Sequence, residues 1–255
     1  MSKIKLILQY DGSDYIGWQR QAPEHGISLQ QAVESALAKV VGSFVTIHGA
    51  GRTDSGVHAL AQVAHFTCPV NITPQRLKLA LNHILPKDIR IMAAEEVDEA
   101  FHARLSALSK VYRYLLATDE LNIFNYRWYL PLDHLPLIEP MVEAAAYLIG
   151  EHDFRHFTLA NSKAKSFVRE VRSITVYQPN KQDLPCPLQN PLAIEVEGNG
   201  FLYKMVRLIV ERMLVVGQKK LPPTGMRDFL QGALSVNLPP APPQGLMLME
   251  VKYGK

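Results

Sequence analysis

The chain has little cysteine: two in 255 residues, Cys68 and Cys186, far apart and in no Cys-x-x-Cys spacing. That scarcity argues against a disulfide framework or a structural zinc and fits a reducing compartment. No run approaches the roughly 18 consecutive apolar residues that a membrane helix needs. The start, Met1-Ser2-Lys3-Ile4-Lys5-Leu6, has neither a long apolar core nor a small-residue cleavage site, and reads as a strand rather than a signal peptide. Charge of one sign is not in great excess either, since 27 Lys and Arg against 24 Asp and Glu give a formal +3. So mild a bias suits a polyanionic partner without requiring one. What the chain does have is apolar residue, 47% of the total, enough for one large core or two smaller ones. The expectation is a soluble, cytoplasmic protein with no membrane segment.

Periodicity divides the chain into two halves with the same order of elements. Ile4, Leu6, Leu8 and Tyr10 alternate with Lys5, Ile7 and Gln9, a strand ended by Asp11-Gly12. Ser28 with Gln31 forms a capping box, after which Leu29, Ala32, Val33, Ala36, Leu37 and Val40 line one helical face up to a stop at Gly42. Strand-like runs at 44–50 and 57–67 follow. A second helix begins at Thr73-Pro74 and carries Leu77, Ala80, Leu81 and Ile84, and a strand runs from Ile89 to about Val97. The order β-α-β-β-α-β is the ferredoxin-like arrangement. The second half repeats it with insertions: a strand at 111–117, a helix marked by Ile138 to Leu148 and stopped by Gly150, and strands at about 172–178 and 192–197. A helix from Met205 to Val216, a short helix near 226–230 and a strand at 246–253 complete it. The predicted fold is α+β: two ferredoxin-like, RRM-like units, residues 1–105 and 106–255, giving a mostly antiparallel sheet with helices on one face. Sheets of this kind bind RNA, but the scaffold hosts many activities, so the site must decide.

The most informative stretch is Gly49-Ala50-Gly51-Arg52-Thr53-Asp54-Ser55-Gly56-Val57-His58-Ala59. Its glycines permit tight turns and close approach to a ligand, and between them sit a cation, a hydroxyl and a carboxylate. Taken alone, such a loop reads as a hairpin with an Asx-turn at Asp54 and a solvated Arg52. Its surroundings change that reading. The stretch resembles the active-site motif of the TruA family of tRNA pseudouridine synthases, Gly-Arg-Thr-Asp-x-Gly-Val-His-Ala. The resemblance continues through Tyr10-Asp11-Gly12 to Gln21, Leu81-Asn82-His83 to Ile89, Phe101-His102-Ala103-Arg104 and Lys110-Val111-Tyr112-Arg113-Tyr114. Gly150-Glu151-His152-Asp153-Phe154, Met205-Val206-Arg207 and Ala241-Pro242-Pro243-Gln244-Gly245-Leu246 complete it, so it spans essentially the whole chain in the family's order.

The resemblance implies a pseudouridine synthase type of fold and gives Asp54 the place of the catalytic aspartate. It gives Arg52 the place of the arginine that fills the space left by a flipped-out uridine. Tyr112 matches the tyrosine that packs on the target base, and Arg207 the basic residue that pairs with the aspartate. It further implies action on uridines 38 to 40 of the tRNA anticodon stem-loop, by a homodimer. The reaction breaks the N1–C1′ bond, turns the uracil and rejoins it through C5. The product is an isomer, so neither metal nor any other cofactor is called for. A carboxylate at Asp54 serves by attacking C1′ or by removing the 2′ proton, two routes that the sequence leaves open. Two other readings use the same residues: a non-catalytic RNA-binding module, or a small-molecule hydrolase built on Asp54 and His58.

Away from the motif, His152, Arg155, His156, Lys163, Lys165, Arg169 and Arg172 make a basic stretch through an expected loop, read either as a track for RNA phosphates or as a solvated loop. His152 and His156 have the i, i+4 spacing of a helical metal pair but lack a third ligand. Two features depart from the family: Glu211 follows Arg207-Leu208-Ile209-Val210 where glycine is usual, and residues 180–187 are longer than a simple turn.

Overall fold

The computed structural model describes residues 2–159, 164–234, 236 and 238–254. In chain order the elements are β1 (Ser2–Tyr10), α1 (Leu29–Val41), β2 (His48–Gly49), β3 (His58–Cys68), α2 (Pro74–Ile84), β4 (Ile89–Val97) and β5 (Ala107–Ala117). They continue with β6 (Leu130–Pro131), α3 (Ile138–Ala146), β7 (Gly150–Asp153), β8 (Val168–Tyr177), β9 (Pro191–Gly198), α4 (Met205–Gly217), α5 (Gly225–Leu230) and β10 (Leu246–Tyr253). Contacts group them into two units. One holds the chain through Leu108 together with the stretch from Met247 onward, and the other is Ser109–Leu246.

In the first unit the strands run in the order β4-β1-β3-β10, with β2 also paired to β3. All pairings are antiparallel except that of β10 with β3. Ile4, Leu6, Leu8 and Tyr10 of β1 are buried, as are Leu29, Val33 and Leu37 of α1 and Leu77 and Leu81 of α2. Alternation along a strand then puts Lys3, Lys5 and Ile7 on the opposite face, with their cross-strand partners Thr67, His65 and Val63. The helix starts follow their caps: Ser28 and Gln31 form both halves of the capping box, and Thr73 accepts from the Arg76 amide. Gly42 ends α1 in the left-handed region at φ 77°.

In the second unit the order is β5-β9-β8-β7, all antiparallel, with β6 beside β5. Tyr114, Leu115, Leu116, Ile194 and Val196 are buried with Met141, Ile209 and Met213 from the helices.

Three sequence expectations are corrected. The run at 44–50 yields only the two residues of β2, His48 and Gly49, which pair with His65 and Ala64 of β3. Phe44 is left exposed. Helix α3 ends at Ala146, not at Gly150, which instead opens β7 at φ 107°. The stretch read as a basic loop takes in parts of two strands: His152 lies on β7 opposite Arg169 on β8, with Arg155 and His156 in a 3-10 turn between them, while Lys165 lies in irregular chain. The i, i+4 spacing of His152 and His156 therefore has no helix to express it. Lys163 lies outside the described residues.

Candidate active site

Asp54 sits in the loop between β2 and β3, half-buried, with Thr53 buried before it and Ser55 exposed after it. The loop is shaped by hydrogen bonds rather than by regular structure. The Val57 amide donates to the Asp54 carbonyl at 3.2 Å, closing a turn, and the Trp18 amide donates to the Thr53 carbonyl at 3.0 Å. Ser55 Oγ donates to the Tyr15 carbonyl at 3.0 Å, while Thr53 Oγ1 and the Tyr10 hydroxyl lie 2.9 Å apart. The side chains on either side of Asp54 are thus engaged in holding the loop on the segment 10–18. Burial pushes the Tyr10 hydroxyl up to about 12 despite its bonds to Thr53 and Gln62, so it stays protonated.

The approach of the two segments needs a residue without a side chain. Gly17 has φ 103°, and a Cβ there would stand 2.6 Å from the Thr53 carbonyl oxygen and 3.0 Å from the Asp54 carbonyl carbon. Segment 18–20 is itself held by α1. Gln30 donates its amide to the Trp18 carbonyl at 3.0 Å and its Oε1 accepts from the Arg20 amide at 3.1 Å. Glu34, 1% exposed, is paired with Arg20 and accepts from Gln30 Nε2 at 3.1 Å and from the Ile47 amide at 3.0 Å. One buried carboxylate therefore braces both strands of chain that lead to Asp54. Sequence reasoning missed Glu34 and Gln30, because an acid and an amide on an amphipathic helix read as its solvent side.

His58, 1% exposed, is turned to other work: its Nδ1 lies 3.1 Å from Asp11 Oδ1 and 3.1 Å from the Gly12 amide. A single ring nitrogen serves one of these at a time: bare, it accepts from the Gly12 amide, and carrying a hydrogen it donates to Asp11. Burial alone would raise the Asp11 carboxyl. Hydrogen bonds from His58 and Ser13 more than reverse that and hold it well below the usual carboxylate range. Arg52 is exposed, two residues before Asp54.

The other two residues singled out by the sequence belong to the second unit. Tyr112 on β5 is 7% exposed and meets Phe201 edge to face, with ring centroids 5.3 Å apart. Arg207, third residue of α4, is 8% exposed; its Nε donates to the Ala241 carbonyl at 2.6 Å, and the Ala241 amide donates back to the Arg207 carbonyl at 3.2 Å. The Tyr114 hydroxyl donates to the Pro242 carbonyl at 2.7 Å, so the proline-rich loop is fastened to both β5 and α4. Glu211 is half-buried on α4, which remains a regular helix, and burial raises its carboxyl against the pull of Lys220.

Among the described residues no set of three His, Cys, Asp or Glu side chains is arranged to hold a metal ion, and no helix is long and apolar enough to cross a membrane. Both cysteines are free. The basic stretch is partly neutralised from within, by Arg155 on Asp153 at 2.6 Å and Arg172 on Glu170 at 3.1 Å.

Known proteins resemble this chain along nearly all of its length. The family model described as tRNA pseudouridine synthase matches residues 6–105 and 144–254. A protein of Bacillus pumilus named tRNA pseudouridine synthase A is 42% identical, over 98% of this chain and 99% of that relative. Its namesakes from Thermoanaerobacter sp. and Ruminiclostridium cellulolyticum are 38% and 40% identical, each over 99% of this chain and the whole of the relative. A crystal structure of a Cbf5-Nop10-Gar1 complex matches with a TM-score of 0.37 at 12% identity, over 83% of this chain and 45% of that one, too slight a likeness to build on. The matched family model and the full-length relatives place the chain in the tRNA pseudouridine synthase family, on its TruA branch.

Proposed function

We propose that the protein converts uridine to pseudouridine in the anticodon stem-loop of tRNA, at positions 38 to 40, with Asp54 as the catalytic carboxylate. The observation that carries this reading is the likeness to relatives of that name across the whole chain, with the Gly51–Ala59 motif intact. The local geometry supports it: Asp54 stands half-exposed on a loop whose neighbouring side chains are engaged in holding it. Attack on C1′, or removal of the 2′ proton, requires the ionised form, and a guanidinium beside a carboxylate favours that form. Arg207 is assigned that counter-charge. Tyr112 is assigned to the face of the target base, where a flat ring stacks and a hydroxyl assists at C5. Arg52, exposed and planar at its tip, is assigned to the gap left by the extruded nucleotide, where it also meets phosphate. The protein acts as a homodimer in this reading.

Incubation with unmodified tRNA, followed by mapping of pseudouridine, tests the assignment. Modification by the wild type that is lost in Asp54→Ala while tRNA binding persists is the expected result. Binding without modification by the wild type indicates an RNA-binding module. Failure to bind indicates the hydrolase, a role already disfavoured by the commitment of His58 to Asp11 and Gly12.

A further inference from the structure

Three histidines gather on the face of the first unit's sheet that carries Lys3 and Lys5. The rings of His65 and His102 are 4.6 Å apart, those of His48 and His65 5.2 Å, and those of His48 and His102 5.9 Å. Beside them is an open recess of about 270 Å³ lined by Lys3, Thr46, His48, His65 and Thr67 with Val45 and Phe66, and His102 reaches it only through its contacts with the rings of His48 and His65. The charged groups that act on His65 and His102 are cationic. Lys3 comes from β1 and Arg104 from the segment after His102. Lys5, also on β1, is paired with Glu95 of β4. Cations gathered beside a recess repel one another, and an anion relieves that repulsion.

We propose that this recess binds a phosphate group of the RNA backbone, held by Lys3, His48 and His102. The proposal rests on the reading of the protein as a tRNA-modifying enzyme, and adds to it a place where substrate is gripped. His65 does not take part directly. It is 5% exposed and its Nδ1 accepts from the Ala103 amide at 3.1 Å, so its ring is held neutral as a spacer. Burial, with His102, His48 and Lys3 as further causes, pushes it down to about 4. His102 accepts from the Arg104 and Leu105 amides through Nδ1, at 3.2 and 3.3 Å. That assignment fixes the tautomer with the proton on Nε2, a donor even in the neutral ring. The Lys3 ammonium is bonded to the carbonyls of Glu99 and Phe101 and has a third donor. His48 and Thr46 are exposed at the rim. A phosphate placed here raises the proton affinity of the imidazoles around it, so binding takes up protons and weakens as pH rises.

The test measures tRNA affinity of the full-length protein against pH at constant ionic strength, for the wild type and for His48→Asn/His102→Gln. The wild type is expected to lose about 10-fold in affinity from about pH 6 to pH 8, as linked proton uptake requires, and the double variant to be flat. Lys3→Ala is expected to lower the salt slope of binding by about one phosphate's worth. Circular dichroism confirms that the variants fold, and His48→Asn alone, at an exposed position, gives the same direction of change if the double variant does not. An equal pH slope in wild type and variants overturns the proposal. In parallel, the histidine Cε1–H resonances are titrated with inorganic phosphate in place of chloride. Movement of the cluster's resonances with phosphate, alongside an unaltered tRNA pH slope, shows a site for free phosphate and overturns the RNA assignment. Because the resonance arm needs no tRNA, it still reads the recess if the enzyme reading itself fails, which the absence of pseudouridine shows separately.

Discussion

At the scale of single residues, the account turns on how Asp54 is presented. Its neighbours are pinned and its loop lies so close to Gly17 that no Cβ fits there. Gly17→Ala meets both a backbone conformation that side chains rarely adopt and the Thr53 carbonyl, at a cost of about 1–3 kcal/mol. Because the loop must move to relieve the clash, kcat is expected to fall by about 10²-fold while tRNA affinity holds. Steady-state kinetics on a tRNA transcript check this; an unchanged kcat would mean that the close packing of residues 12–18 has no part in placing the carboxylate.

At the scale of elements, α1 does more than cover the sheet, because Gln30 and Glu34 tie Trp18, Arg20 and Ile47 together. Glu34→Ala leaves the Ile47 amide and the Gln30 side chain short of an acceptor in a buried place. It is expected to destabilise the first unit by about 1–3 kcal/mol, read from urea unfolding. A loss no larger than that of an exposed substitution on α2 would contradict the bracing role. The sequence made much of this architecture legible. Period-two runs and caps marked β1, α1, α2, β4 and β10 to within a residue or two, since local patterning and local burial agree there. It was least legible where tertiary pairing decides. Phe44 to Ile47 have strand composition but lie outside β2, which is confined to His48 and Gly49, and His152 and Arg169 were read as loop though they face each other across a hairpin. The motif residue Asp54 could be found by spacing; Glu34, which supports it, could not, because burial of an acid is set by partners distant in sequence.

At the scale of the whole molecule, stability should depend on pH in a direction fixed by two groups. His65 has an ordinary value near 6.5 and is pushed down to about 4 on folding, by burial and by its cationic neighbours. Between those values the unfolded chain binds a proton that the folded chain does not, so stability falls as pH drops from about 6.5 towards 4. Asp11, held below its ordinary 3.8 by His58 and Ser13, adds stability above that value which is lost as pH falls further. Urea midpoints from about pH 7 to 4 should therefore decline in the wild type and decline less in His65→Gln. A decline of equal slope in both would remove His65 from the explanation.

The claim on which the rest depends is that one carboxylate performs the isomerisation. Its most direct measurement is release of tritium from tRNA labelled at uridine C5, under single-turnover conditions, by the wild type and by Asp54→Asn. That substitution keeps the size of the side chain, removes its ability to ionise and turns one acceptor oxygen into a donor. The account predicts release by the wild type and a fall of at least about 10³-fold in the variant, with tRNA binding unchanged. Release by Asp54→Asn within about 10-fold of the wild-type rate would contradict it.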